Sequence, residues 1–290
     1  MGLRTKFNLA LIVVSALGLG ITGFVAHQRL QQNAREEVIR NADIMMEAAA
    51  AVSDYTVKKF TPYLELQLQR AFLPQAVGPL VATEMFNAIR AKYPEYTYQE
   101  KALNPTNPRN RAVDWEADVV HDFRGNRSKT KVIEERATPN GPALYLARPI
   151  QIRDRGCLTC HSTPDKAPST MLALYGSTNG FGWELHEIIG AQIVTVQLSS
   201  QIKNAQETFK TFMGSLVGIF VAIFAILNIM MHFIIIHPLA RMASVADAIS
   251  TGDLTLQELP AEGNDEVATL AQAFNRLRRS VEKALKMIEE

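Results

Sequence analysis

The two cysteines of the chain, Cys157 and Cys160, are separated by two residues and followed at once by His161. That order and spacing suit covalent attachment of a c-type haem: the thiols form thioethers with the two vinyl groups, and the next residue is placed under the iron as its proximal imidazole ligand. A pair of cysteines at this spacing can also be a redox dithiol, a disulfide or half of a zinc site. A structural zinc ion wants four nitrogen or sulfur ligands, and the chain has no second cysteine pair to provide them. A thioredoxin-type dithiol needs a βαβ setting that the neighbouring sequence lacks. One covalent haem c held by Cys157, Cys160 and His161 is the expectation.

The residue on the opposite face of such a haem is left open by the sequence. His121 and Met85 fall in helical stretches, Met171 lies ten residues past the motif's His161, and His186 follows further on. An open or water-bound position is an equal alternative. Methionine would raise the reduction potential and suit electron transfer, whereas an open position would suit a diatomic gas. Arg109, Arg111 and Arg148 are candidate partners for the propionates, because a planar guanidinium pairs its N–H groups with a carboxylate.

These groups must be positioned by something, and hydropathy shows what. Residues 7–28 and 211–240 contain no Asp, Glu, Lys or Arg, and about 20 apolar residues suffice to cross a bilayer. The first run is longer than the apolar stretch of a signal peptide and reads as an uncleaved anchor. Asn228 and His232 in the second prefer a helix-helix interface to lipid. Arg4 and Lys6 favour a cytoplasmic N-terminus, a signal weakened by Arg29 and Arg35 beyond the span. Covalent haem attachment is extracytoplasmic, which decides the orientation. The expected organisation is a cytoplasmic N-terminus over residues 1–6, spans over 7–26 and 212–236, an external haem domain over 27–210, and a cytoplasmic tail over 237–290. Both termini are then cytoplasmic in a two-pass protein of the bacterial inner membrane. With 30 basic and 29 acidic residues, the chain has no charge excess to recruit nucleic acid.

Within the external domain, residues 27–64 read as a helix ending at Pro62, and 81–92 as a second helix before Pro94. Strand-like stretches follow at 96–103, 129–135, 144–152 and 190–198, with a short helix at 115–123 and a rigid Asn-Pro-rich loop at 104–108. The class is α+β with an antiparallel sheet. Beyond the second span, Leu239, Met242, Ala246 and Ile249 form a helical seam, with Gly252 as its cap and Leu254, Leu256 and Leu259 in a connector. Val267, Leu270, Phe274, Leu277, Val281, Ala284 and Ile288 then repeat at alternating spacings of 3 and 4, a coiled-coil seam that needs a partner. Homodimerisation into a four-helix bundle is the expectation.

Residues 238–290 resemble a HAMP domain: Pro238 opens the first helix, Asp265-Glu266-Val267 starts the second, and Phe274-Asn275-Arg276-Leu277 follows in place. Residues 40–200 resemble the periplasmic c-type haem domains of PAS-like fold in bacterial sensors. The carriers are Tyr93-Pro94-Glu95-Tyr96, the loop from Asn104 to Arg111 with Asp114-Trp115-Glu116 behind it, Ala147-Arg148-Pro149-Ile150, the haem motif, and Asn179-Gly180-Phe181-Gly182-Trp183. The resemblance implies a membrane sensor of redox state or a small ligand that signals through HAMP to a separate cytoplasmic output protein, since the sequence ends at Glu290 without an enzymatic output domain. Some relatives use a cysteine as second iron ligand, and both cysteines here are committed to thioethers. A membrane-anchored cytochrome for electron transfer is the rival reading, one that leaves the coiled coil unexplained. No distal acid-base pair points to a haem enzyme.

Overall fold

The computed structural model describes residues 2–251, 253 and 257–289. In chain order the elements are α1 (Leu3–Tyr55), α2 (Glu65–Arg70), α3 (Gly78–Arg90), β1 (Tyr96–Ala102), α4 (Asp114–Gly125), β2 (Val132–Thr138) and β3 (Gly141–Gln151). Then come α5 (Leu158–His161), α6 (Ser169–Tyr175), β4 (Ile188–Gln197), α7 (Ser199–Met230), α8 (His237–Ser250) and α9 (Glu266–Glu289). Contacts divide the chain into two units, Gln28–Thr208 and the combination of Met1–His27 with Phe209–Glu290.

The first of these is an α+β domain. Its four strands are antiparallel in the order β1-β4-β3-β2. Side chains alternate along a strand, so β3 feeds two separate cores. Leu144 and Leu146 join Tyr98, Val194 and Val196 beneath α1 and α3, where Val38, Ala42, Met46, Ala49, Ala82 and Phe86 are buried. Tyr145 and Ala147 face the other way, onto Val119, Val120 and Phe123 of α4. The apolar residues of α1 recur at helical spacing on the side that meets the sheet, which is why this outer part of a long helix stays put.

The helix expected over 27–64 ends its α-helical course at Tyr55, continues as a π-helix over Thr56–Phe60 and finishes as a 3₁₀ turn over Thr61–Leu64. Pro62 has no N–H to give to the ladder. The second strand begins at Val132, three residues later than the sequence suggested, because Lys129 N–H still closes a turn onto the carbonyl of Asn126. Helix α4 starts one residue before Trp115, where the Glu116 carboxylate accepts the N–H of Val113 at 3.0 Å.

One buried acid stands out in the sheet. Glu100 receives the Tyr98 hydroxyl at 2.6 Å and a Gln192 amide N–H at 3.3 Å, both neutral donors. Burial pushes its pKa up from 4.5, against the effect of those two hydrogen bonds. A carboxyl whose folded pKa lies above its unfolded value gives its full stability contribution below the unfolded pKa and loses it as pH rises. The wild type should therefore weaken, relative to Glu100→Gln, as pH is raised above about 4.5. Urea unfolding of the two proteins across the pH range checks this, and parallel curves would contradict it.

In the second unit, α7 passes through a π-helical stretch, Met231–Ile236, into α8. Met242 and Val245 of α8 are buried with Leu259 and Ala271, flanked by Ile249, Val267 and Phe274. Asn275 is buried and pairs its amide with both backbone groups of Leu259, at 3.0 and 2.9 Å. It pins the connector to α9. Val245 takes a core place beside the expected seam, and Leu270 and Leu277 are exposed. Gly252, Leu254, Leu256 and the side chain of Ile288 lie outside the described residues. Two helical stretches, Leu3–Leu68 and Gln201–Ser250, contain windows apolar enough to cross a membrane.

Candidate functional site

Residues 152–187 connect β3 to β4, and the Cys157-His161 motif lies in this connection. Asp154 starts it: its side chain accepts the N–H of Gly156 at 2.8 Å, setting up a 3₁₀ turn, Arg155–Cys157, that runs into α5. Positions three and four apart share a helix face, so this local geometry turns Cys157, Cys160 and His161 to one side. Both thiols are free. Partial burial pushes both thiol pKa values up, helped at Cys157 by the Asp154 carboxylate and at Cys160 by Cys157. This is the opposite of the lowered pKa that marks a reactive dithiol.

His161 is held from three sides. Its Nδ1 lies 2.8 Å from the carbonyl oxygen of Gly180 and 3.3 Å from the Thr106 hydroxyl. Its ring stacks on Trp183, with centroids 4.0 Å apart and planes 19° from parallel. A carbonyl can only accept, so Nδ1 carries the proton and Nε2 keeps its lone pair. Burial lowers the imidazole pKa, opposed by the Gly180 carbonyl. A ring with one nitrogen committed to a carbonyl and the other unprotonated is the form in which histidine binds a metal.

The loop that supplies the carbonyl is fixed by its own sequence. Gly180 has φ +84°, and a Cβ there would lie 2.0 Å from the Thr106 hydroxyl oxygen and 2.7 Å from its Cα. Asn104 grips the same turn, accepting the Gly180 N–H and donating to the Phe181 carbonyl, both at 3.2 Å. Arg111 donates to Asn179 at 2.9 Å and to the Leu103 carbonyl at 3.3 Å. The backbone of Gly182 and Trp183 returns to the carbonyls of Ser162 and His161. Three segments, 103–111, 157–162 and 179–183, are thus stitched together around one imidazole.

Of the residues singled out from sequence, Cys157, Cys160, His161 and Arg111 are brought together here. Arg109 pairs with Glu84 of α3 at 2.7 Å. Arg148 is turned to α1, where it meets Asp43 at 3.1 Å and Glu47 at 2.6 Å. Met85 packs against the core beneath α1 and α3, Met171 is 1% exposed on α6, and His121 on α4 is exposed. His186 is exposed in a turn with φ +68°. Among the described residues, no hydrogen bond or ring contact joins any of these four to His161. Thr106, Gly180 and Trp183 had no role assigned from sequence. Their signal was a pair of glycines around an aromatic residue and a proline-rigid loop, both quoted as carriers of the resemblance.

Residues 31–197, more than half of the 290-residue chain, match the Tll0287-like family. The chain belongs to this family. Its Tll0287-like domain is followed by a HAMP domain matched over residues 230–283, so the two-part resemblance read from the sequence, a sensor domain followed by HAMP, holds. The sensor histidine kinase WalK of Bacillus subtilis is 32% identical over 106 residues, which cover 37% of this chain and 17% of WalK. The chain thus spans about a sixth of that relative. The crystal structure of the cyanobacterial heme-protein Tll0287 aligns with 62% of this chain and 94% of its own at 15% identity, with a TM-score of 0.38. The Tll0287-like domain carries its thiol pair and imidazole in the β3–β4 connection, and the chain then enters α7 after one residue beyond β4, Leu198.

Proposed function

We propose that the chain is a membrane receptor carrying one covalent haem c, with thioethers to Cys157 and Cys160 and His161 as the iron ligand. The observation that carries this reading is the combination of two free thiols on the His161 turn with an imidazole whose Nδ1 proton is committed to Gly180. The donor set fits the group: thiols able to add to vinyls, and an Nε2 lone pair for iron. A family member, the cyanobacterial Tll0287, is itself described as a heme-protein. When bound, the haem supplies an iron whose charge and ligation change with reduction or with binding of a small ligand.

The protein's own part is to hold and to relay. Gly180 and Trp183 fix the imidazole ring, Arg111 bonds the same loop through Asn179 and is the one of the three arginines proposed as a propionate partner, and a displacement of His161 acts directly on the 179–183 loop. Five residues after Trp183 that loop becomes β4, and β4 leads through Leu198 into α7. The signal is redox state or a diatomic ligand, relayed as a shift between two packings of the HAMP helices. A coupling of about 1–3 kcal/mol is enough to change an output severalfold or more.

In this reading the N-terminus and the HAMP tail are cytoplasmic, residues 27–210 are periplasmic, the receptor is a homodimer, and its output belongs to a separate cytoplasmic protein. The receptor itself is not an enzyme. The test is expression in a host with cytochrome maturation machinery, followed by a denaturing gel. Pigment that stays with the 32.2 kDa chain supports the proposal, and a colourless band ends it. Oxidised and reduced spectra with and without carbon monoxide then separate gas binding from redox sensing.

A further inference from the structure

The second apolar stretch does not run into α8 as plain α-helix. Over Met231–Ile236 it widens into a π-turn, closed by the His237 N–H on the carbonyl of His232. Pro238, at the start of α8, explains the change. It has no N–H for the carbonyl of Ile234, and its ring crowds that carbonyl, so the α-ladder cannot continue through this turn. The consequence falls on two side chains. In an α-helix, residues five apart point about 140° away from each other. Here His237 is brought back over His232, and the two imidazoles lie with centroids 6.4 Å apart and planes 63° from parallel. Both residues are exposed, and among the described residues neither ring has a hydrogen bond or an ion pair. His232 also meets the Phe233 ring edge-on, at 5.0 Å.

We propose that His232 and His237 form a binding site for a divalent transition-metal ion of the zinc, nickel or copper class, and that the bound ion locks the π-turn between the second span and the HAMP helices. Donor chemistry selects the occupant. Neutral imidazole suits these ions, whereas magnesium and calcium want oxygen, and residues 211–240 contain no carboxylate side chain. The separation fits as well. With metal–nitrogen bonds of about 2.0–2.1 Å, two imidazoles on one tetrahedral ion have centroids roughly 5 Å apart, a difference that rotation of two exposed side chains closes. Water fills the remaining positions. An ion that needs both rings binds the π-turn and not a straight α-helix, so it favours one geometry of the junction by mass action. A histidine near the end of a span is otherwise a cost to the protein, and π-turns inside α-helices are frequent at functional sites. The ion site needs no haem. In the orientation proposed above it lies on the cytoplasmic side, where a metal signal meets the haem signal at the link into HAMP.

Titration of the full-length holoprotein in lipid nanodiscs tests it, with a purification tag free of histidine. Zn²⁺ should bind at one equivalent per chain. His232→Gln and His237→Gln should each weaken that binding severalfold or more, and His121→Gln, at an exposed histidine of the other unit, should leave it unchanged. Cu²⁺ in place of Zn²⁺ should give an electron paramagnetic resonance signal with two nitrogen couplings, reduced to one in either variant. Pro238→Ala restores the missing N–H and permits an α-turn, so it should weaken binding about as much as loss of a histidine although both rings remain. Zn²⁺ should also slow hydrogen exchange of the 231–241 amides in the wild type and not in His232→Gln. Equal affinity in the wild type and both histidine variants removes the site. Full affinity in Pro238→Ala removes the π-turn as its basis, and binding without slowed exchange removes the lock. Circular dichroism shows that each variant has folded. A chain that binds Zn²⁺ in this way yet retains no covalent pigment refutes the haem reading and leaves this one standing.

Discussion

Replacing Cys157 and Cys160 together by alanine leaves the purified chain without covalently retained pigment, while the domain still folds. The thiols are free and lie toward the surface, Cys157 exposed and Cys160 partly so. Removing them therefore creates no core cavity of the kind that costs several kcal/mol. The loss is chemical: with no sulfur to add across a vinyl group, any haem present is held through His161 alone and leaves on denaturation. Each single replacement should keep one thioether. The remaining vinyl stays conjugated with the porphyrin, so the pyridine haemochrome band of either single variant should move to longer wavelength than the wild type. Denaturing gels stained for haem, circular dichroism and the haemochrome spectrum measure the three outcomes. Full covalent pigment in the double variant would place the attachment elsewhere and sink the reading of the site.

Gly180→Ala is expected to have the next largest effect, and by a different route. At φ +84° the backbone of residue 180 is in a region that costs an alanine about 1–3 kcal/mol. The added Cβ would also overlap the Thr106 hydroxyl at 2.0 Å and approach the Thr106 Cα at 2.7 Å. Rotation of the threonine side chain relieves the first clash and leaves the second, so the two loops must separate. The carbonyl that accepts the His161 Nδ1 proton moves with them. Covalent attachment should survive, because the thiols belong to a separate turn. The thermal midpoint should fall, and the absorption spectrum should show weakened axial ligation, since an orienting partner of a metal-bound imidazole typically contributes 10–100-fold in affinity or activity. Thr106→Gly added to Gly180→Ala should recover part of both losses, a coupling that a double-mutant cycle reads directly. A Gly180→Ala protein with the wild-type midpoint and spectrum would show that the clamp does not govern the imidazole.

Much of the secondary structure was readable because its signals are local. The alternation in β3 and the helical spacing in α4 were visible, and their boundaries moved by only a few residues where a turn or a side-chain cap intervened, as at Lys129 and Glu116. Helix α6 left no clear trace, since seven residues with no capping side chain do not make a periodic pattern. The arginines divide instructively. Arg109, Arg111 and Arg148 look alike in sequence, yet one binds Glu84, one closes the Asn179 loop and one is drawn onto two carboxylates of α1. Where an arginine points depends on acids as far as 105 positions away, and a local reading cannot see them.

By itself the sequence determined which atoms can do chemistry and that two long apolar helices bracket them, because thiol spacing and helix hydropathy are properties of neighbouring residues. Only the tertiary structure decided which nitrogen of His161 is left for a metal. That choice depends on a carbonyl 19 residues further along the chain, held in place by Thr106 and Asn104 from a third segment. A proton is placed by the acceptor that folding brings within about 3 Å of it, and no local pattern in the chain encodes that meeting.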